Sequence, residues 1–510
     1  MNIVKKLKYY RRKNMRLNKK NKIIELLSTL EEGVNYAKSA SSGKSKLMLN
    51  DCYNGLVSIL NSVDEENTIE TYINKILQDF DKIIDKLNNE KTIEFEMQSI
   101  IKILNELSEY ILNNISTELE IVFMPYKASM WDSMESIWSE AIGDEDCNCY
   151  VVPIPYYERA SENNPLKLCY EGEIFPQYVD ITHHSLYDLE MREPDIIYIH
   201  NPYDQYNTLT MICPEYFSSK LSKCTEMLVY VPYYISTSYK DEKEHGLFSI
   251  LPGPINSNKI IAQSKNDREA YISNRYSNNK ILDLGSPKFD AMFSIEKRVD
   301  KIIYEWKKIS EDKKVFLLVT TVDDVLNNKN FIRDLKNNIN NIVENDSICL
   351  IWRPHPLTDI TIKNMRPNFL EEYNKLLKEI KKYNNIIFDD TSNAYTSISI
   401  SDALISGNSS ITAQYLITGK PTLSFMKSEL LNRERLYCMD YLGCYFICDG
   451  ITISKFIDMI LKGEDPKKEE RMERLKNSLT NIDGTCGEKI HKTIKEEVFK
   501  YKVFNIKTDN

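Results

Sequence analysis

The chain has 510 residues, enough for roughly two to four domains. Its 42% hydrophobic and 28% charged residues place it outside the disordered, collagenous and small disulfide-stapled classes. A net charge of −9 disfavours a non-specific nucleic-acid binder, which needs a basic surface to neutralise phosphates, so no nucleic-acid partner is expected. No apolar run reaches the roughly 18 residues of a spanning helix, and no cleavable apolar stretch follows the basic start, so a cytoplasmic protein is expected. The eleven cysteines are scattered and lack zinc-knuckle spacing; reduced, mostly buried thiols are expected, and no metal ligand is assigned.

Residues 1–22 carry ten Lys/Arg and no acid. Such a tail suits an anionic membrane face, which would place the protein at the periphery of the inner membrane surface, and it equally suits a solvated tail. Over 23–117 the apolar residues recur at three and four, as in Ile73, Ile76, Leu77, Phe80, Ile83 and again in Met97, Ile100, Leu104, Leu107, Ile111. That is helical spacing. Breaks near 39–45, 64–67 and 86–91 divide it into four helices, read as a packed bundle with an extended coiled-coil dimeriser as the alternative.

From 118 the texture changes to short apolar runs between helical segments: 121–125, 150–157, 195–200, 228–234, 259–264 and 280–285, then 315–321, 348–352, 385–390, 402–406, 421–425 and 445–449. Runs of this kind predict parallel strands in two Rossmann-like, doubly wound α/β domains, over 118–285 and 286–480, with a closing helix over 481–510. In such sheets ligands bind beyond the carboxyl ends of the strands. Candidate residues are therefore sought there.

After the run 402–406, Gly407 lets the chain turn, and Asn408, Ser409 and Ser410 precede a helix whose free N–H groups suit a diphosphate; a plain helix cap is the alternative. Arg353 and His355, stiffened by Pro354 and Pro356, can both reach a phosphate and neutralise a leaving group, or form an ordinary surface loop. Lys288 offers a further phosphate contact, and Asp290 can cap the following helix. In the first half, Lys127 and Trp131 are candidates for binding an acceptor. Asp132, Glu135 and His200 are candidate bases, with a capping-box variant as the other reading of the Asp132/Glu135 pair. Walker, HExxH, GxSxG and GxGxxG patterns are absent.

The pattern Gly285-x-Pro287-x-x-Asp290, Arg353-Pro354-His355-Pro356, Ser401-Asp402, Ser409-Ser410 and Lys420-Pro421, closed by Asp483-Gly484 and Glu488-Lys489-Ile490, resembles the CDP-glycerol glycerophosphotransferases of teichoic-acid synthesis. The resemblance implies a GT-B fold with two Rossmann-like domains facing a cleft. A nucleotide-activated donor would sit in the C-terminal domain and a polymer or glycan acceptor in the N-terminal one; the basic tail is consistent with an acceptor made on a lipid carrier. The resemblance further implies donor contacts from Arg353, His355, Ser409 and Ser410, with Lys288 where the family often has arginine; Asn408 is a donor-binding candidate from its place at the helix start alone, and no cofactor beyond the donor is expected. Pro232-Tyr233-Tyr234 stands where the family has a His-Gly pair proposed as the base, and Gly407-Asn408 where it has Asp-Tyr. A UDP-sugar-dependent GT-B glycosyltransferase is therefore an alternative, and a non-catalytic scaffold with a degenerate core a third.

Overall fold

The computed structural model describes residues 14–63, 67–88, 93–159, 167–207, 210–236, 250–293, 303–391, 394–407, 409–428 and 438–508. The chain divides into two compact units. One comprises 1–121 with 144–148 and 193–195, the other 122–143, 149–192 and 196–510.

In the first unit the three-and-four spacing forms helices Leu17–Ser39, Ser42–Ser62, Asn67–Asn88 and Glu94–Asn114. They share one core that includes Leu27, Val34, Leu56, Ile73, Phe80, Ile100 and Leu107. Each such burial contributes up to about 1.5–3 kcal/mol. Two elements precede the expected start of this region. Strand β1 (Asn14–Arg16) pairs in parallel with the beginning of β2 (Ser116–Phe123), and the first helix begins at Leu17. The expected basic tail is thus structured from Asn14 onward, and its first thirteen residues lie outside the described ones. The Lys20 ammonium is buried, donating to the Leu112 and Ile115 carbonyls at 3.1 and 2.9 Å, which places a cation at the C-terminal end of the fourth helix.

In the second unit the run 150–157 is split by Pro153 and Pro155, which lack ladder donors. Its first part belongs to β3 (Cys147–Val151). Its second part, β4 (Tyr156–Glu158), pairs antiparallel with β5 (Lys167–Cys169) and β7 (Thr210–Ile212) in a small sheet that the apolar runs did not foreshadow. The main sheet of this half runs β6 (Ile196–Ile199), β8 (Met227–Tyr230), β9 (Lys259–Ile261), β10 (Ile281–Leu282), all parallel. The end of β2 lies beside β6, where the Met124 N–H donates to the Tyr198 carbonyl at 2.9 Å.

The second half is a parallel sheet of β11 (Lys314–Thr320), β12 (Ile348–Pro354), β13 (Ile386–Phe388), β14 (Ala403–Ser406), β15 (Thr422–Ser424) and β16 (Tyr445–Phe446). Its spatial order is β13-β12-β11-β14-β15-β16, the doubly wound Rossmann order, with the switch point between β11 and β14. Nearly every residue of β11 and β12 is buried, which is why both read as continuous apolar runs. The expected α/β class with two Rossmann-like halves and a helical N-terminal region is what the chain forms.

The segment joining the halves is held tightly. Gly285 has φ +93, and a Cβ there would overlap the Thr480 carbonyl oxygen. Asp290, expected to cap the helix that follows it, instead accepts from the Cys486 and Gly487 N–H groups at 3.1 and 2.7 Å and so caps helix Cys486–Thr508. All eleven cysteines are free thiols, most of them buried. Among the described residues no helix is long and apolar enough to cross a membrane.

Candidate functional site

At the switch point, β14 runs through Gly407 into helix Ser410–Ile417. Ser409 is its N-cap: the hydroxyl accepts from the Thr412 N–H at 3.1 Å, and the Thr412 hydroxyl in turn donates to the Gly407 carbonyl at 2.8 Å, which locks the turn. Ser410 is exposed beside it, and Asn408 lies outside the described residues. A narrow pocket at this helix start is lined by Gly407, Ser409, Thr412, Ser424, Met426 and Met439. Two motif residues around the turn serve the fold. Asp402 accepts from the Val315 N–H at 2.8 Å, and the Lys420 ammonium donates to the carbonyls of Ile398, Ser399 and Ser401 at 3.0, 3.1 and 2.6 Å at the end of helix Tyr395–Ile400.

Arg353 ends β12 with its guanidinium turned into the protein. Nη1 donates to Asp389 Oδ2 at 2.5 Å and Nη2 to the Thr391 carbonyl at 2.8 Å, the two ion-pair side chains being 5% and 0% exposed. Both terminal nitrogens are thus spent on the loop in which Asp389 also receives the Ser397 hydroxyl, while Nε is buried without a partner among the described residues. His355 is exposed. Its Nδ1 accepts from the Leu357 N–H at 3.1 Å, which puts the proton of the neutral ring on Nε2. Partial desolvation and then the Arg353 charge hold its pKa below the ordinary histidine value.

In the first half the candidates separate. Trp131, expected to meet an acceptor, is buried among Phe123, Trp138 and Phe175 at ring distances of 6.4, 5.7 and 5.7 Å and belongs to the core. His200 is fully buried: Nε2 accepts from the Tyr126 N–H at 3.2 Å, and Nδ1 lies 3.0 Å from Ser133 Oγ, whose own proton goes to the Met130 carbonyl. Its pKa falls to about 3, mainly through burial, so the ring is neutral with both nitrogens engaged and is not positioned to take a proton from an acceptor. Glu135 is buried and accepts from the Tyr178 hydroxyl. Lys127 is half-buried with its ammonium 5.0 Å from the Tyr156 ring centroid.

Asp132 and Lys288 meet. The Lys288 ammonium lies 2.7 Å from both Asp132 oxygens, the Tyr395 hydroxyl donates to Asp132 Oδ2 at 2.6 Å, and Gln414 Nε2 donates to the Tyr395 oxygen at 3.2 Å. Tyr395 and Gln414 were not among the sequence candidates. The signal was present in part, because Tyr395 opens the helix that follows β13, beyond a strand's carboxyl end. A second small pocket, at the ends of β8, β9 and β10, is lined by Pro232, Tyr234, Gln263, Gly285 and Ser286. Tyrosine thus occupies the ground where the resemblance leads one to look for histidine.

Solved structures align with most of the chain at low identity. The wall teichoic acid polymerase TagF is 14% identical with a TM-score of 0.46, covering 83% of this chain and 99% of that one. A UDP-N-acetylglucosamine 2-epimerase gives 12%, 0.47, 76% and 96%. The UDP-GlcNAc 2-epimerase from Neisseria meningitidis bound to UDP-GlcNAc gives 11%, 0.45, 74% and 100%. No curated protein matches the chain. The family described as CDP-Glycerol:Poly(glycerophosphate) glycerophosphotransferase matches residues 236–496, just over half of the sequence and all of the second Rossmann half. The chain therefore belongs to the CDP-glycerol:poly(glycerophosphate) glycerophosphotransferase family and is a transferase.

Proposed function

We propose that this transferase moves glycerol phosphate from CDP-glycerol to a hydroxyl of a cell-surface polymer carried on a lipid. The family match over 236–496 carries this reading. The donor diphosphate would lie at the start of helix Ser410–Ile417, where the first-turn backbone N–H groups and the helix dipole favour anionic groups, beside Ser409 and Ser410. The acceptor oxygen attacks the β-phosphorus, the bridging P–O bond breaks, and CMP departs with that oxygen.

His355 is suited to the leaving group. A bound diphosphate adjacent to it would raise the affinity of the ring for a second proton, and Nε2–H is then a charge-assisted donor to the departing phosphate. Lys288 supplies positive charge from the joining segment. With His200, Asp132 and Glu135 all engaged, little base assistance is at hand for the acceptor hydroxyl. A loose phosphoryl-transfer transition state asks for little, since deprotonation of the nucleophile comes late.

The six Lys/Arg of residues 1–13 support docking at an anionic membrane face, each contributing on the order of 1 kcal/mol near the surface. Flotation with anionic vesicles at low and high salt measures this. Retention that does not respond to salt removes the electrostatic anchor.

A nucleotide-sugar donor is the second reading, favoured by Gly407 and Pro232-Tyr233-Tyr234 at positions where the family differs. Turnover separates the two. The full chain given CDP-glycerol and a glycerol-phosphate-primed lipid acceptor is expected to release CMP, with His355→Ala slower by about a hundredfold or more. Release of UDP from a UDP-sugar, with CDP-glycerol inert, overturns the first reading in favour of the second. No turnover with either donor returns weight to a scaffold.

A further inference from the structure

Four separate elements are joined by one chain of side-chain contacts that runs through the Asp132 carboxylate. Asp132 comes from the 3-10 helix Ala128–Ser133, Lys288 from helix Pro287–Phe293, Tyr395 from helix Tyr395–Ile400 and Gln414 from helix Ser410–Ile417. The ion-paired side chains are 9% and 12% exposed, so each hydrogen bond is made in a mostly dry setting where it is stronger than in water. Lys288 spends donors on both Asp132 oxygens, and Oδ2 also receives the Tyr395 hydroxyl. Gln414 lies within the helix whose first turn forms the candidate donor site, and its amide fixes the Tyr395 oxygen. Phe289, next to Lys288, packs in one cluster with Ala413 and Leu416, which lie on either side of Gln414 in the helix. The two ends of the chain of contacts are thus tied together by packing as well as by hydrogen bonds.

We infer that Tyr395 and Gln414 are positioning residues: acting through Asp132, they fix the Lys288 ammonium relative to the donor helix, so that donor binding reads the placement of Lys288 through a relay of three side chains. This rests on the donor-site reading above. A lysine is a flexible four-carbon stem ending in a point charge, and without such a clamp its ammonium samples several rotamers. Asp132 alone fixes the charge to the first half. The Tyr395–Gln414 arm is what refers that charge to the helix that would hold the diphosphate.

The test is a double-mutant cycle on the full chain, read as the dissociation constant for CDP by calorimetry and as kcat and KM for the donor. Lys288→Ala is expected to weaken CDP binding about ten- to a hundredfold, and Tyr395→Phe, which removes one oxygen and keeps the ring, about three- to tenfold. In the Lys288→Ala background, Tyr395→Phe is expected to cost CDP binding nothing further, although it still removes a hydrogen bond from a mostly buried carboxylate and lowers the thermal midpoint. Gln414→Met, which removes the outer end of the relay, is expected to reproduce the Tyr395→Phe effect at about a third of its size and to be silent in the same background. A Tyr395→Phe penalty of equal size with and without Lys288, or none in either, overturns the relay while CDP binding by the wild type leaves the donor reading standing. Wild-type protein that binds neither CDP nor UDP overturns the donor reading and the relay together.

Discussion

Two motif cations of this chain end in ion pairs, and they are unlike. Arg353 and Asp389 are 5% and 0% exposed, both on the second half, in a loop closed by Thr391 and Ser397. Lys288 and Asp132 are 9% and 12% exposed, come from two elements and are joined by side chains from two more. The first pair engages both terminal nitrogens of Arg353 and leaves its buried Nε without a partner among the described residues; in the second, one ammonium spans both Asp132 oxygens. Residue type in a motif therefore does not say whether a charge is spent on the fold or held for a ligand, and the surroundings decide.

The contrast can be broken most directly at Arg353. Arg353→Ala leaves a buried carboxylate uncompensated and is expected to cost about 3–5 kcal/mol in chemical denaturation, whereas Lys288→Ala leaves Asp132 with the Tyr395 donor and is expected to cost about 1–2 kcal/mol. Equal losses would erase the distinction.

His200 gives the next largest effect. Buried and neutral, it binds its proton only near pH 3 in the folded chain, but near pH 6.5 once unfolded. The unfolded state therefore binds more protons between those values, so the stability His200 contributes is complete above about pH 6.5 and is lost as pH falls toward 3. Between pH 7 and 5 the wild type is expected to lose about 2 kcal/mol more than His200→Gln in denaturant titrations. Matching pH profiles would return His200 to the accessible bases.

The smallest effect belongs to the cap. Ser409→Ala is expected to cost about 1 kcal/mol and lower the thermal midpoint by roughly 2–4 °C. A Ser409→Ala variant with unchanged stability but weakened CDP binding would move Ser409 from the fold to the ligand.

The second half was readable because its strands are buried on both faces: the unbroken apolar runs at 315–321 and 348–352 are too short for a buried helix and fit a central parallel strand. The first half was less so. Pro153 and Pro155 divided one apparent strand between two sheets, and the three-residue β1 carries no periodicity to detect. Of the site, the Ser409 cap was legible because capping is local in sequence. The relay was not. Lys288 lies 156 positions from Asp132 and Tyr395 lies 263 from it, and no local pattern reports that two helices and a short 3-10 turn will meet there. Trp131 and His200 misled for the converse reason, since aromatic and imidazole rings at strand ends serve packing as readily as chemistry.

The helix Cys486–Thr508 bears on how the chain comes to be folded. Asp290 caps its start, a Cβ at Gly487 would run into the backbone of Ser136, and Glu497 pairs at 2.6 Å with Lys259, 238 positions earlier. The first Rossmann half is thus finished by a segment that the ribosome delivers after the whole of the second half. A nascent chain must carry an incompletely covered first sheet while more than two hundred further residues are made, a span in which exposed strand faces invite chaperones. Closure of that sheet depends on contacts between residues more than two hundred positions apart, the kind whose loop-closure cost slows folding.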